Sequence, residues 1–186
     1  MVDVEVIKLC IEGKEKGHRI LYESCAPYVY AIIRSYIYDE SFHLDVLQET
    51  FAGVFSKIES YNSELGQFKP WLRKVTVNNC LLHLRNHKKL TTIDSIEGKS
   101  LEDLPSVNNI NENISREEIE QLLRNMPTGY RTVFLMIAID GWTHEEVSTA
   151  LNISNTASRS QYLRAKNYIQ HKILNQTDSS KYGIDN

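Results

Sequence analysis

Residues 141–166 constrain the fold more than any other part of the sequence, because they predict two helices joined by one tight turn. Thr143, with Glu146 three residues later, is typical of a capping box at the start of a helix. Asn152 is the best non-glycine candidate for the left-handed residue that ends this helix, and Ser154 can cap the next one. The stretch predicts a helix-turn-helix, whose second helix commonly lies in the major groove of DNA.

Helical spacing gives the second helix of this stretch two different faces. The side that can pack on the rest of a domain contains Ser158, Tyr162, Ala165 and Ile169. The positions that can face a duplex are Arg159, Ser160, Leu163, Arg164 and Asn167. An ordinary helical hairpin with a solvated basic face shows the same pattern, so this stretch alone leaves DNA binding as one of two interpretations.

The composition favours an all-α protein. Apolar residues make up 41% of the 186 residues, and the chain contains only four prolines and eight glycines. Amphipathic repeats with helical spacing recur along the sequence, whereas no run alternates as a half-buried strand does. A chain of this length has room for one or two small domains.

Neither the cysteines nor the N-terminus indicate an exported protein. Cys10, Cys25 and Cys80 are scattered, without the spacing of a disulfide framework or of a zinc ribbon. The sequence begins without a basic stretch that leads into an apolar run, and no segment has the length of a membrane span. We expect a soluble, cytoplasmic protein with reduced thiols and no membrane insertion.

The net charge of −3 is unevenly distributed along the chain. Residues 61–100 contain seven basic and three acidic residues, a local net charge of +4. Residues 101–125 contain six acidic and two basic residues, a local net charge of −4. A basic helix followed by an acidic connector predicts at least two different interaction surfaces.

Breaks in the helical pattern predict two helical domains joined by a flexible acidic linker. The first domain, residues 1–90, is expected to contain helices over about 3–16, 18–38, 41–60 and 70–89. Ser41 is the expected cap of the third helix, Pro27 predicts a kink or a break, and Pro70 suits a first helical position. Residues 91–113 have no sustained period and are rich in Ser, Asn and acids, which is typical of a linker.

The second predicted domain, residues 114–175, contains the helix-turn-helix. Ser115 and Glu118 form a second candidate capping box at its start. Residues 132–139 are almost entirely apolar and are expected to form its buried centre. Residues 176–186 are expected to be a frayed tail.

The helix after Ser41 carries a candidate acidic surface. Its predicted apolar stripe consists of Leu44, Leu47, Phe51, Val54, Phe55 and Ile58. Asp45 and Glu49 lie on the opposite flank, with Gln48 at its border, so an acidic patch faces outward. A merely solvated helix face is the commoner meaning of such carboxylates.

The helix that begins near Pro70 carries a candidate nucleic-acid surface. The residues that recur on one of its sides are Trp71, Lys74, Asn78, Arg85 and Lys89. A ring that stacks on a base, an amide that reads a base edge and cations that neutralise phosphate suit a binder of single-stranded or melted DNA. In the alternative interpretation, Trp71 belongs to the core together with Val75 and Leu82.

The same helix also carries Cys80, His83 and His87 on one side. Three ligands on one helix lack a fourth, and their spacing matches no zinc class. The sequence contains no nucleophile with its base, no phosphate-binding glycine loop and no supported pair of catalytic carboxylates. We therefore expect no metal, no cofactor and no enzyme activity.

Taken together, these segments resemble the sigma-70 family, in particular the small two-domain sigma factors of the extracytoplasmic-function (ECF) type. Residues 21–30 are similar to the family's first helix, and residues 45–51 are similar to its core-polymerase motif. Residues 68–79 resemble the promoter-melting helix, and residues 123–166 resemble the C-terminal domain. These segments follow one another in the family's order over nearly the whole chain.

The resemblance implies a promoter-specific transcription initiation factor whose partners are core RNA polymerase and promoter DNA, and it leaves an anti-sigma factor open as a third partner. The implied contacts with core polymerase are Asp45, Gln48 and Glu49. The implied contacts with the minus-ten element are Lys69, Trp71, Lys74, Asn78, Asn79 and Arg85. The implied contacts with the minus-thirty-five element are Arg159, Ser160, Leu163, Arg164 and Lys166. Asn78 matches the family position that helps to capture a base extruded from the opening duplex.

The second helix of the helix-turn-helix departs from the family pattern at three positions. Thr156 and Ser158 stand where Gly and Val are usual, and Gln161 stands where Arg is common. We expect the missing cation at Gln161 to weaken attraction to phosphate. We also expect the isolated helix-turn-helix to bind DNA poorly.

Two functions of other classes compete with this interpretation. A stand-alone helix-turn-helix regulator would bind duplex DNA tightly without polymerase. A purely protein-binding helical module would have no use for Asn78 or Arg159.

Overall fold

The computed structural model describes residues 2–64, 66–87 and 115–181, with the backbone alone at residues 116 and 174–181. Over these ranges the chain forms helices and no strand, so the all-α prediction is confirmed. Two compact helical units are present, and the chain divides after His87. The predicted linker at 91–113 lies outside the described residues.

The first unit consists of four helices. They are α1 (Val4–Ile11), α2 (Glu15–Tyr36), α3 (His43–Lys57) and α4 (Phe68–Asn86), with short 3₁₀ turns at Glu40–Phe42 and Ile58–Ser60. Helix α4 packs on both α2 and α3, and α1 packs on α2. The fully buried side chains at the centre of the unit include Leu21, Val29, Ile33, Val46, Val54 and Val77. Their removal from water stabilises this arrangement of the helices.

Helices α1 and α2 each correct one prediction. Helix α1 ends at Ile11 rather than near residue 16, because the chain turns at Gly13, whose φ is +69°. Gly17 lies against α1 so closely that a Cβ there would be 2.6 Å from the Cβ of Leu9. Helix α2 then runs through Pro27 without a break, with Cys25 and Val29 buried on either side. Packing of its neighbours compensates for the one backbone hydrogen bond that a proline removes.

The starts of α3 and α4 also differ from prediction. Asp39 caps the 3₁₀ turn that precedes α3, since its Oδ1 accepts hydrogen bonds from the backbone N and from the Oγ of Ser41, at 3.3 and 2.6 Å. Ser41 therefore lies inside the 3₁₀ turn that Asp39 caps. Helix α4 begins at Phe68, which makes Pro70 its third residue. Proline is accommodated there because backbone N–H groups of the first turn have no acceptor within the helix.

The second unit also has four helices. They are α5 (Arg116–Asn125), α6 (Thr128–Phe134), α7 (His144–Leu151) and α8 (Asn155–Lys181), and a π-helical turn at Leu135–Ile139 follows α6. Helix α8 packs on α6 and α7 and extends past residue 175 into the predicted tail at 176–186. Arg131 is buried, and its Nη1 donates to the carbonyls of Leu123 and Met126 at 3.5 and 3.1 Å. The guanidinium thereby satisfies carbonyl groups at the C-terminal end of α5.

The apolar stretch 132–139 is only partly buried, which corrects its predicted role. Val133 and Met136 are fully buried, but Ile139 is 59% exposed. The π turn changes the rotation of the last residues relative to α6, so the end of the stretch faces solvent.

All three cysteines are buried in the first unit. Burial raises the pKa of the Cys10 and Cys25 thiols. Within the part of the chain that the structure describes, no helix combines the length and the apolar character that crossing a membrane requires.

Candidate polymerase and nucleic-acid interfaces

Helix α3 presents Asp45, Gln48 and Glu49 on one exposed face. The opposite side of the helix is anchored by Val46 and Phe51, which are buried. Asp45 lies in the first turn, where a carboxylate interacts favourably with the helix dipole. The structure therefore brings the three sequence-predicted polymerase contacts together on one open surface.

Leu44 belongs to this exposed face and not to the apolar stripe, which corrects the prediction. Its side chain is 66% exposed, beside Asp45 in the sequence. The preceding residue, His43, points into the core, where its Nε2 donates to the carbonyl oxygen of Ile37 at 2.7 Å. Because successive residues of a helix differ by about 100° in direction, the inward position of His43 turns Leu44 outward.

Helix α4 presents a second exposed face. Lys74, Asn78, Leu82 and Arg85 are exposed and follow one another at spacings of three or four residues. We call this set, with the half-buried Trp71 one turn before Lys74, the α4 stripe. Leu82 is 50% exposed, so its assignment to the core in the alternative interpretation is wrong.

Trp71 is held by an aromatic cluster that the sequence reasoning missed. Its ring centroid lies 5.7 Å from that of Tyr61 and 5.4 Å from that of Phe68. The rings of Tyr61 and Phe68 themselves meet edge to face at 5.3 Å. These contacts fix the ring while leaving part of it at the surface, as a stacking platform requires.

Lys69 and Asn79 lie away from the α4 stripe. Lys69 is exposed, and its Nζ lies 4.6 Å from the ring centroid of Tyr28 on α2, in a cation–π contact. Asn79 turns towards α3, because its Nδ2 is buried and lies 3.5 Å from the place where a Cβ on Gly53 would be. Asn78 therefore carries the amide that is open to solvent.

The histidines near the end of α4 form an aromatic group. The rings of His83 and His87 are 4.3 Å apart, and both lie within 5 Å of the ring of Phe42, at 4.8 and 4.7 Å. Cys80 is fully buried on the same helix. Among the residues described, no three His, Cys, Asp or Glu side chains are placed to hold a metal ion together.

The helix-turn-helix of the second unit has the predicted local structure. Thr143 and Glu146 form the capping box at the start of α7. Asn152 adopts the left-handed conformation with φ 55°, and the N–H of Ile153 donates to the carbonyl of Ser148 at 3.0 Å. The Oγ of Ser154 accepts from the N–H of Ala157 at 3.0 Å, which caps α8. The capping box, the left-handed Asn152 and the Ser154 cap, three predictions in all, are confirmed.

The inner face of α8 contains Ser158, Gln161 and Ala165, all buried. Ser158 shares a 2.9 Å hydrogen bond with the Nδ1 of His144, which ties α8 to the start of α7. Gln161 is only 3% exposed, so the expectation that it faces phosphate is wrong. Its amide lies within the domain and cannot weaken a contact with DNA that it does not make.

The outer face of α8 is polar and basic. Arg159, Ser160, Leu163 and Lys166 are exposed, and Arg164 is half-buried. The Nε of Arg159 donates to the Oδ1 of Asn155 at 2.9 Å, which orients the guanidinium at the start of the helix. The pKa of His144 is lowered by burial and by the nearby positive charge of Arg159. The N-terminal part of a recognition helix is the part that commonly contacts base edges.

Comparison with known proteins assigns both units to one family. Residues 21–90 match the model of sigma-70 region 2, and residues 116–169 match the model of sigma-70 region 4. Because region 2 occupies the first unit, a stand-alone helix-turn-helix regulator is not favoured.

Named relatives agree with these matches. The ECF RNA polymerase sigma factor SigM of Bacillus subtilis is 28% identical over 151 residues, which are 78% of this chain and 88% of that protein. The ECF RNA polymerase sigma-E factor of Escherichia coli K12 is 22% identical over 183 residues, 93% of this chain and 95% of that protein.

A solved structure supports the fold. It is a co-crystal structure of the sigma factor RpoE with the anti-sigma factor NepR from Bartonella quintana, and the match covers 84% of this chain and 96% of that chain, with a TM-score of 0.52 and 16% identity. The chain belongs to the sigma-70 family of promoter-specific transcription initiation factors.

Proposed function

We propose that this sigma factor binds core RNA polymerase through the exposed face of α3. Asp45, Gln48 and Glu49 supply charge and hydrogen-bonding groups, and Leu44 supplies an apolar contact at the edge of the same face. The carboxylates favour a basic partner surface.

The α4 stripe contacts the minus-ten element. Trp71 offers a stacking surface, Asn78 an exposed amide for a base edge, and Lys74 and Arg85 positive charge for phosphate. Lys69 adds charge beside Tyr28, outside the stripe. Asn79 does not contact the DNA directly, because its amide is turned towards α3, where it lies between α4 and Gly53.

The second unit contacts the minus-thirty-five element through α8. Arg159, Ser160 and Leu163 lie on the exposed face nearest the start of this helix, and Arg164 and Lys166 extend the basic surface. The hydrogen bond between His144 and Ser158 ties α8 to the start of α7.

The proposed functional domains are residues 1–90 and 114–175, joined by a linker at 91–113 and followed by a tail at 176–186. The matches to regions 2 and 4 support the two domains. The factor acts in the cytoplasm, with core polymerase, and performs no catalysis itself. Capture of exposed bases and contacts with polymerase supply the few kcal/mol that unstacking costs. The complex of the related RpoE with NepR supports an anti-sigma factor as a further partner.

One observation carries this proposal: separate exposed surfaces suited to polymerase, to melted DNA and to duplex DNA occur in one chain. The test is transcription from genomic fragments by core RNA polymerase with and without the purified chain. Promoter-dependent transcripts that require the chain are expected. Absence of transcripts on every fragment, together with DNA binding by the chain alone, would contradict the proposal.

A further inference from the structure

Leu82 is the one apolar member of the α4 stripe that is exposed over half of its surface, at 50%. Two other sides of α4 pack on α2 and α3, so this leucine has turned away from the core that its helix helps to form. Single exposed leucines are common on protein surfaces, and the exposure alone indicates no function. The residues beside Leu82 on the same face indicate what it contacts.

Leu82 lies between groups that suit DNA. Asn78 precedes it by one helical turn and Arg85 follows it by three residues, and both are exposed on the same face. Side chains at these spacings are neighbours on a helix, about 5–6 Å apart at Cβ. Whatever contacts Asn78 and Arg85 together must therefore also cover Leu82.

The chemistry of DNA narrows what Leu82 can contact. Phosphate and the polar groups of base edges would lose hydrogen-bonding partners against an aliphatic side chain, and the base faces and deoxyribose are apolar in every nucleotide, so contact with them would not discriminate between bases. The C5-methyl group of thymine is the apolar group on a base edge that distinguishes one base from the others, and a melted strand carries it as a duplex does.

We propose that Leu82 is a specificity-determining residue of the minus-ten contact, which selects a thymine beside the base that Asn78 reads by packing on its C5-methyl group. This inference rests on the proposed function of the α4 stripe. It adds a requirement for one methyl group at one promoter position.

Deoxyuridine tests this contact directly, because it pairs as thymine does and lacks only the methyl group. The substrate is a promoter fragment that the holoenzyme, assembled from the full chain and the core polymerase of the same organism, transcribes. Each thymine of the minus-ten region is replaced singly by deoxyuridine on either strand. At one position we expect transcription at subsaturating holoenzyme to fall about fourfold. This is the loss of affinity expected when one methyl group is no longer buried in the complex.

Two variants assign that loss to Leu82. Glutamine is a good helix former, as leucine is. Holoenzyme with Leu82→Gln is therefore expected to transcribe the thymine and deoxyuridine templates equally at this position. Leu82→Met keeps an apolar side chain and is expected to keep the sensitivity. Val4→Gln, which alters a 55% exposed residue of α1 outside the stripe, is the matched control and is expected to behave as the unaltered chain.

The outcomes separate this inference from the proposed function. Transcription that no deoxyuridine substitution affects would overturn the role of Leu82 and leave the chain a sigma factor. That role would also be overturned if Leu82→Gln lost as much transcription on the deoxyuridine template as the unaltered chain does. A failure of the holoenzyme to transcribe any fragment would instead overturn the proposed function.

Discussion

The three long helices of the first unit and two short helices of the second begin in different ways, and the one short helix of the first unit, α1, has Asp3 as its cap. In the first unit α2, α3 and α4 are 22, 15 and 19 residues long, and none of them has a side-chain hydrogen bond at its N-cap. In the second unit α5 and α7 are 10 and 8 residues long, and each begins with a complete capping box. Long helices are held by the apolar surface that they bury, whereas short ones depend more on their ends.

Helix physics explains the difference. Starting a helix fixes several residues for one hydrogen bond, and isolated helices shorter than about 12–15 residues are marginal in water. The proposed DNA-contacting face of the first unit is thus a product of core packing, because α2 and α3 determine how α4 is rotated. The corresponding face of the second unit depends also on Asn152 and Ser154, which set the direction of α8.

The largest expected effect concerns the polymerase surface, which only the first unit is proposed to carry. Asp45→Lys with Glu49→Lys should weaken binding to core polymerase by more than about 100-fold, because like charges placed against each other cost several kcal/mol. Fluorescence titration of labelled chain with core polymerase measures the loss. Glu12→Lys with Glu23→Lys changes the net charge equally on other exposed residues and should leave the affinity unchanged. An equal loss of affinity in both variants would show that overall charge, and not the exposed face of α3, determines binding.

Dependence of the first unit on its core is tested by Leu72→Ala. Leu72 is 1% exposed, and its truncation should lower the free energy of unfolding by about 2–5 kcal/mol. Hydrogen exchange resolved by residue measures this in each unit separately. Protection should fall in α2, α3 and α4 and stay unchanged in α7 and α8. A loss spread over both units would show that they fold as one.

Dependence of the second unit on its caps is tested by a matched pair of substitutions. Thr143→Ala removes the cap of α7 and should lower the free energy of unfolding of that unit by about 1 kcal/mol. Gln67 occupies the N-cap position of α4 without a side-chain hydrogen bond, so Gln67→Ala should change the first unit by less than about 0.5 kcal/mol. Chemical denaturation of the two variants provides the measurement. Equal effects would remove the distinction between the units.

The smallest expected effect is a pH dependence confined to the second unit. The pKa of His144 is lower in the folded chain than its ordinary value of 6.5, chiefly through burial and also through the charge of Arg159. The unfolded chain therefore binds this proton more readily, and the second unit should lose stability as the pH falls below that ordinary value. His144→Gln should remove this part of the dependence. Urea midpoints at about pH 7.5 and about pH 5.5 provide the comparison.

Local sequence signals predicted the caps of the second unit better than they predicted the rotation of helices in either unit. The capping boxes at Ser115 and Thr143 and the left-handed Asn152 are confirmed, because each depends on residues within one turn. The rotation of Leu44 and Gln161 was predicted wrongly, since it depends on which neighbours fill the core. His43 occupies the inward position before Leu44, and Ser158 with Ala165 draws Gln161 inward.

In the candidate sites, too, spacing along one helix predicted some features, whereas packing between helices determined others. Asp45, Asn78 and Arg159 could be placed on exposed faces from spacing alone, and the structure exposes them. The exposure of Leu82 and the inward amide of Asn79 could not be predicted, because both follow from the way α4 lies against α3. The aromatic cluster around Trp71 joins residues on both sides of a loop, and spacing along one helix does not reveal it.

The burial of every cysteine makes this chain well suited to site-specific labelling. Maleimides react with exposed thiolates, and the native thiols are all enclosed, two of them with a raised pKa. One new cysteine on the surface of each unit can therefore carry a dye without first removing Cys10, Cys25 or Cys80. The separation of the two units during polymerase binding and promoter opening then becomes measurable by energy transfer in the otherwise unaltered protein.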